Sequence, residues 1–468
     1  MAERKRIRLT LVEGAGPASD SGLWNHPDYE PGLFKDPRWW ESLGRTLEAA
    51  GFDAIFFADT PAIRADTPAA REHHLRNGGL PRLDPAYVIP IIAAVTERLG
   101  FVVTSSITYD HPVPLARKFA TLDHLTGGRI GWNVVATNVR SAALNHGLRE
   151  QLPHDVRYDR GDEFMAVVYA LWNHAWDDDA VVRDAARGLY VDPERVRPVA
   201  HHGDWFRVEG IPITAPSPQR TPVLYQAGSS ARGRRFAATH AECVYLNTQS
   251  AEETAHLVAD VRRLARAAGR AEEDLKFFPR VIPVVGGTEA EARAKYDDYL
   301  AHDDEQAAIV TLQQWAGLDL SGRDPEEVLD LSHLQVAGIS SEHAADYLRR
   351  RARAGKRVTV RELVRQYAFT GGAGNVVLGT PEQVADQLER YIDETGVDGF
   401  NVAWMIRRHS VRDFAEQVIP ELRRRGRLPQ EPDAEPAGLT MRERLFGAGA
   451  RPNPRHPAAR RPASIAAG

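Results

Sequence analysis

The stretch Val223-Leu224-Tyr225-Gln226-Ala227-Gly228-Ser229-Ser230-Ala231-Arg232-Gly233-Arg234-Arg235-Phe236-Ala237-Ala238-Thr239-His240-Ala241-Glu242-Cys243-Val244-Tyr245-Leu246 reads as strand, tight turn, helix, strand. Its two apolar runs, Val223 to Ala227 and Cys243 to Leu246, are rich in β-branched and aromatic residues, and the segment between them, Ala231 to His240, has helical composition. A crossover of this length joins parallel strands, because a two-residue hairpin serves only antiparallel ones.

The same unit recurs outward in both directions. Strand-like runs occur at Ile7 to Val12, Ala54 to Ala58, Phe101 to Ser105, Arg129 to Val135, Phe277 to Val285 and Gly399 to Ala403, making eight with the two above. Helical segments lie between most of them, at Pro37 to Ala50, Tyr87 to Leu99, Pro114 to Leu125, Arg160 to Ala175, Ala251 to Ala268, Glu289 to His302 and Pro381 to Thr395. Eight alternations predict an α/β protein closed as a TIM (β/α)8 barrel. The runner-up, an open doubly wound sheet, calls for a glycine-rich turn and a helix straight after its first strand, whereas Glu13-Gly14-Ala15-Gly16-Pro17 leads into a long loop.

Two segments exceed ordinary connections, 136–221 and 303–377, and are expected to form insertions over the C-terminal face. Residues 1–446 then make one domain. Residues 447–468, with four prolines, four arginines and no acid, read as a disordered tail.

Composition narrows the function classes. The chain has 468 residues, 43% hydrophobic and 26% charged, with a net charge of −5, so no global field favours nucleic acid or an anionic membrane. The longest apolar run, Tyr87 to Val95, contains Pro90 and falls well short of the ~20 residues of a membrane span. The start, Met1 to Arg6, runs into the first strand without a signal-peptide core, which sets the expectation of a cytoplasmic protein. Cys243 is the only cysteine and sits in an apolar stretch, as a packed residue would. No HExxH or cysteine pair is present, and His73-His74 and His201-His202 are adjacent pairs that point apart, so no metal is expected. Walker A and nucleophile-elbow patterns are also missing.

In a barrel of this kind, polar residues at the C-terminal strand ends build the site. These are Asp59 and Thr60, Thr104 and Ser105, Asn133 and Thr137, Gln226 and Asn247. Most are neutral hydrogen-bonding groups, suited to a ring bearing carbonyls and imide nitrogens such as isoalloxazine. Gly228-Ser229-Ser230 ahead of a helix, with arginines nearby, offers N–H groups and hydroxyls to a phosphate, although either serine also serves as an ordinary N-cap. Tyr158, in His154-Asp155-Val156-Arg157-Tyr158, adds a second possible donor set. His26, in Trp24-Asn25-His26-Pro27-Asp28 after the first strand, is the best-placed residue for proton transfer.

These residues also carry a resemblance. Gly127-Gly128-Arg129-Ile130-Gly131-Trp132-Asn133-Val134-Val135-Ala136-Thr137 resembles the fourth-strand signature of the nitrilotriacetate and dibenzothiophene-sulfone monooxygenase family of bacterial luciferase-like flavin enzymes. Further blocks follow in the family's order: Thr108 to Pro112 with Leu122 to Leu125, His154 to Phe164, Gln226 to Ala238, Leu378 to Pro381 with Asp398 to Asn401, and Gly438 to Glu443. The likeness implies a two-component monooxygenase. Reduced flavin mononucleotide, supplied by a separate NAD(P)H:flavin reductase as a diffusible cofactor, would react with O2 to a C4a-hydroperoxide and oxygenate a small organic substrate. It further implies that Asp59, Thr104 and Asn133 line the flavin ring and ribityl chain. His154, Tyr158, Ser229 and Ser230 would surround the phosphate, His26 would handle protons, and the chain would be a homodimer. Asn25, where members often have Arg, and Ala136-Thr137, in place of a commoner Thr-Ser, depart from the pattern near the pocket. A deazaflavin-dependent oxidoreductase and a non-catalytic flavin-binding protein are the alternatives.

Overall fold

The computed structural model describes residues 5–17, 23–63, 67–76, 80–302, 322–330, 357–370, 374–431 and 436–460, with positions 309, 312, 313, 318 and 320. Its barrel strands are β1 (Arg8–Glu13), β2 (Ala54–Phe57), β3 (Gly100–Ser106), β4 (Ile130–Val135), β5 (Val223–Gln226), β6 (Cys243–Leu246), β7 (Lys276–Val285) and β9 (Gly399–Val402). They pair in parallel in that order, and β9 returns to β1, so the sheet closes as an eight-stranded barrel. Every strand matches an expected apolar run to within two residues. Alternation divides each strand's side chains between the barrel interior and the helix layer. Ala54, Phe56, Val102, Tyr225, Cys243, Tyr245 and Phe278 fill the interior, while Leu9, Leu11, Phe101, Val103, Trp132 and Leu224 join the outer core.

The outer layer consists of α1 (Pro37–Ala50), α2 (Pro112–Leu125), α3 (His154–Asn173), α4 (Ala231–His240), α5 (Ala251–Ala267), α6 (Glu289–Ala301) and α7 (Pro381–Thr395). The short α8 (Met441–Phe446) closes the N-terminal end, where Met441 and Leu445 join the interior cluster. Arg442 anchors this plug: its guanidinium holds the Glu242 carboxylate at 2.7 and 2.9 Å and donates to Thr221 O, Pro222 O and Ala450 O.

Four expectations need correction. The helix expected over Tyr87 to Leu99 is only Ile89–Ala93 after a 3-10 turn, because Pro90 sets a helix start where an interior position was assumed. The insertion 136–221 holds two antiparallel hairpins, Val181–Asp184 with Leu189–Val191 and Val199–His202 with Arg207–Gly210, in addition to helices. A further strand, β8 (Asn375–Gly379), pairs with the upper half of β7, continuing the wall above β6. Most of 303–377 lies outside the described residues. Finally, residues 447–460 are anchored on the barrel rather than disordered, with Pro452, His456 and Ala458 buried. Arg455 grips Asp274 at 2.6 and 2.9 Å, and the buried His456 ring reaches His240 O at 2.8 Å. Composition alone missed acids that lie elsewhere in the sequence.

The helix α6 turns back over the mouth. Tyr299, Tyr296 and Leu300 pack on Ile282, Val284, Val376 and Leu378, the inward faces of β7 and β8, together with Leu23, Ala403 and Met405. Among the described residues no helix is long and apolar enough to cross a membrane.

Closure itself demands one residue type. A Cβ added at Gly399 would stand 1.9 Å from Arg8 O and 2.6 Å from its carbonyl carbon, both backbone atoms of the partner strand. Gly399→Ala is expected to lower unfolding free energy by at least about 3 kcal/mol, read as a shifted midpoint in chemical denaturation.

Candidate active site

The C-terminal strand ends on the β2–β5 side carry a connected polar set. Thr104 donates its hydroxyl hydrogen to Phe57 O at 2.9 Å and accepts from Asn133 Nδ2 at 3.0 Å. This leaves Asn133 Oδ1 buried on the interior side without a protein partner; Gln226 Oε1, at the end of β5, is also buried without one, but alternation turns that side chain to the helix-layer side beside Gly228. A buried carbonyl oxygen without a donor is costly, so Asn133 Oδ1 marks a place at the mouth prepared for a donor from a ligand. Below the loop that follows β4, Thr137 is pinned by its hydroxyl to Ser106 (2.8 Å), while its carbonyl accepts from Gln151 and Arg157.

Asp59 follows β2 on the same rim. Burial pushes its carboxyl up to about 6, with the Thr60 N–H, Arg82 and Lys118 opposing and Asp84 assisting. Lys118 reaches this corner from α2, donating to Ser105 Oγ at 2.8 Å.

The turn after β5 forms a second, contiguous set. Ser230 caps α4, accepting from Gly233 N at 3.0 Å, and the first-turn N–H groups that follow lack intrahelical acceptors. The N-cap reading therefore holds for Ser230, and a helix end of this kind is compatible with a bound anion. Tyr158 is buried behind it, and burial raises its phenol above the usual range. A Cβ at Gly228 would lie 2.8 Å from the Tyr158 hydroxyl and 2.2 Å from Gln226 Nε2, and one at Gly233 would also lie 2.8 Å from that hydroxyl. Side chains at these positions would fill the cradle. His154 stacks edge-on to Tyr158, with ring centroids 5.3 Å apart, and pairs with Asp155 at the exposed rim.

The arginines expected to help are committed elsewhere. Arg232 lies 5.5 Å from the Tyr158 ring and pairs with Asp159 and Asp162, and Arg234 pairs with Asp260. An anion at this helix end would meet backbone N–H groups and hydroxyls, since both guanidinium groups are already paired with acids.

His26 stands apart from both sets, on the α6 side of the mouth. Its Nε2 lies 2.9 Å from Asp298 Oδ2, its Nδ1 accepts from Asp28 N, and its ring meets His302 and Tyr299 edge-on. His26, Asp298 and His302 cluster closely enough to suggest a metal site. However, accepting at Nδ1 makes Nε2 the protonated nitrogen, which leaves no lone pair toward the cluster. A cavity of about 440 Å³ lined by His26, Lys295, Asp298 and Asp413 opens beside the dyad. Nothing in the sequence foretold Asp298, because the contact spans 272 positions. An apolar groove of about 310 Å³ between α2, α3 and Ile211–Ser217 lies on the outer helix layer, away from the strand ends.

Residues 23–399 match the family model of luciferase-like monooxygenases. The chain belongs to that family. It is 39% identical over 462 residues to dimethyl-sulfide monooxygenase of Hyphomicrobium sulfonivorans, covering 97% of this chain and 94% of the relative. Dibenzothiophene-sulfone monooxygenase of Rhodococcus erythropolis is 35% identical over 457 residues, covering 95% and 97%. Among solved structures, a riboflavin lyase with modified FMN and riboflavin superposes with a TM-score of 0.86 at 37% identity, covering 97% and 99%. The luciferase-like assignment made from the fourth-strand signature therefore holds, and with it a flavin-dependent monooxygenase on a TIM barrel.

Asp59 gives this site a measurable signature. Its folded value of about 6 exceeds the unfolded value of ~3.9, so the folded state binds the extra proton between those pH values. Its contribution is unfavourable above that window, and stability falls as pH rises through it. Asp59→Asn is expected to flatten the decline in melting temperature between pH ~4 and ~6 relative to the unsubstituted protein; parallel slopes would place Asp59 in water.

Proposed function

We propose that this chain is the oxygenating component of a two-component system. It takes reduced FMN from a separate flavin reductase and inserts one atom of O2 into a small organic substrate. The observation that carries the reading is the buried, donor-less carbonyl oxygen Asn133 Oδ1 on the interior side of β4, on the strand neighbouring the one that leads into a helix terminus cleared of side chains by Gly228 and Gly233. A flavin ring presents N–H groups and a phosphate at its two ends, and this rim offers complements to both.

In this reading Asp59, Thr104 and Asn133 orient the ring and ribityl chain. The α4 N-terminus, Ser229, Ser230, Tyr158 and His154 hold the phosphate. When bound, the reduced flavin supplies oxygen activation at its C4a carbon. The protein's share is to fix the substrate against that carbon and to keep water out. Insertion 136–221 contributes a wall over the β3–β5 side. His26 keeps the proton-handling role: Asp298 holds its Nε2 proton at 2.9 Å, and the adjoining cavity connects the dyad to solvent.

The test is anaerobic loading with reduced FMN followed by mixing with 18O2. Incorporation of a single labelled atom into a thioether or alkane product supports the proposal, and quantitative H2O2 with every substrate class tried would overturn it. Asn133→Ala is expected to weaken reduced-FMN binding about tenfold, the loss of one to two buried hydrogen bonds, by fluorescence or calorimetric titration.

A further inference from the structure

The loop that carries His26 is gripped from the far end of the chain. β1 ends at Glu13, which alternation turns to the helix-layer side, and its carboxylate is buried there. Arg407 meets it from the helix Arg407–Asp413 that follows β9. Its Nη2 lies 2.7 Å from Glu13 Oε1 and donates also to Gly14 O at 3.1 Å and Gly16 O at 2.9 Å. The guanidinium is itself buried and stands over the Trp404 ring, 4.5 Å from the centroid. Ser410 fixes the start of the helix by accepting from Met405 N and Ile406 N.

From this clamp a chain of contacts reaches His26. Tyr29 donates its hydroxyl hydrogen to Pro17 O, next to the clamped Gly16, and Tyr29 N donates to His26 O at 2.9 Å. Asp28 N donates to His26 Nδ1 at 3.1 Å, which puts the ring proton on Nε2, facing Asp298. The next two residues of the helix hold the same loop: Arg408 pairs with Glu30 at 3.0 Å and His409 with Asp28 at 3.5 Å. Three consecutive side chains thus grip the chain on both sides of His26. A buried ion pair adds little net stability, and Arg407 Nε is buried without an acceptor, so Arg407 does not use its fork for a bidentate grip on Glu13. What it secures is the path of the backbone leaving β1.

We propose that Arg407 is a positioning residue: by holding Glu13, Gly14 and Gly16 it sets the His26 loop so that the imidazole keeps its proton on Nε2, toward Asp298. This rests on the proton-handling role given to His26 above.

The experiment records imidazole nitrogen spectra of the full chain labelled with 15N-histidine, with His26 assigned by its loss in His26→Gln. The unsubstituted protein is expected to show one His26 tautomer, protonated at Nε2. Two variants test the clamp. Glu13→Gln combined with Arg407→Gln removes both buried charges together, and Tyr29→Phe removes only the hydroxyl that relays the clamp. Each is expected to populate the second tautomer and to speed Nε2–H exchange about tenfold, as the loss of about one hydrogen bond implies, with FMN affinity unchanged because the seat lies on β2 to β5. Arg407→Lys, which keeps a donor for the loop carbonyls, should restore most of the Nε2–H form, and Arg408→Gln, at an exposed pair, should leave the spectrum as it was. A His26 spectrum unchanged in both test variants, or shifted equally by Arg408→Gln, overturns the proposal; if the double variant fails to fold, Tyr29→Phe decides. Incorporation of 18O that survives His26→Gln overturns the proton-handling reading instead, and the spectra then still decide whether Arg407 sets the ring.

Discussion

The ladder between β1 and β9, Arg8 to Leu11 against Gly399 to Val402, closes the sheet, and the rest of the molecule depends on that closure. A closed parallel sheet has no edges, gathers all eight C-terminal strand ends on one face, and gives each residue a fixed inside or outside. Asn133 and Thr104 meet because their strands are neighbours in register, although 29 positions separate them. The approach is so close that only glycine fits at 399 opposite the Arg8 backbone.

Closure also accounts for the unequal mouth. The β2–β5 side is dressed with neutral hydrogen-bonding groups and a helix N-terminus, and its arginines are tied to Asp159, Asp162 and Asp260. The β7–β9–β1 side has instead an extended strand, a supplementary strand β8 and a helix folded inward over them. That arrangement brings an apolar surface and the His26–Asp298 dyad together under α6.

Buried ions serve architecture at the other end. Arg442 and Glu242 share two hydrogen bonds inside the plug that seals the barrel floor, and the guanidinium holds the glutamate below its ordinary range despite full burial. Such pairs add little net stability over apolar packing but penalise any misplacement of α8 heavily. The buried thiol of Cys243, raised by burial, belongs to this packed interior rather than to any chemistry.

Much was legible without coordinates. The run of apolar strands and helical segments determined the barrel, because periodicity is local and each strand carries its own signal. The strand-end residues Asp59, Thr104, Asn133 and Gln226 and the Gly228-Ser229-Ser230 turn were legible for the same reason: position within a βα unit already places them at the mouth. Only the tertiary structure decided what crosses between units. It paired His26 with Asp298, spent Arg232 and Arg234 on acids from other helices, and anchored the arginine-rich 447–460 on Asp274 and Asp178. Those contacts join residues far apart in the chain, and their geometry is set by how the closed sheet brings its layers together, a constraint that no local pattern encodes.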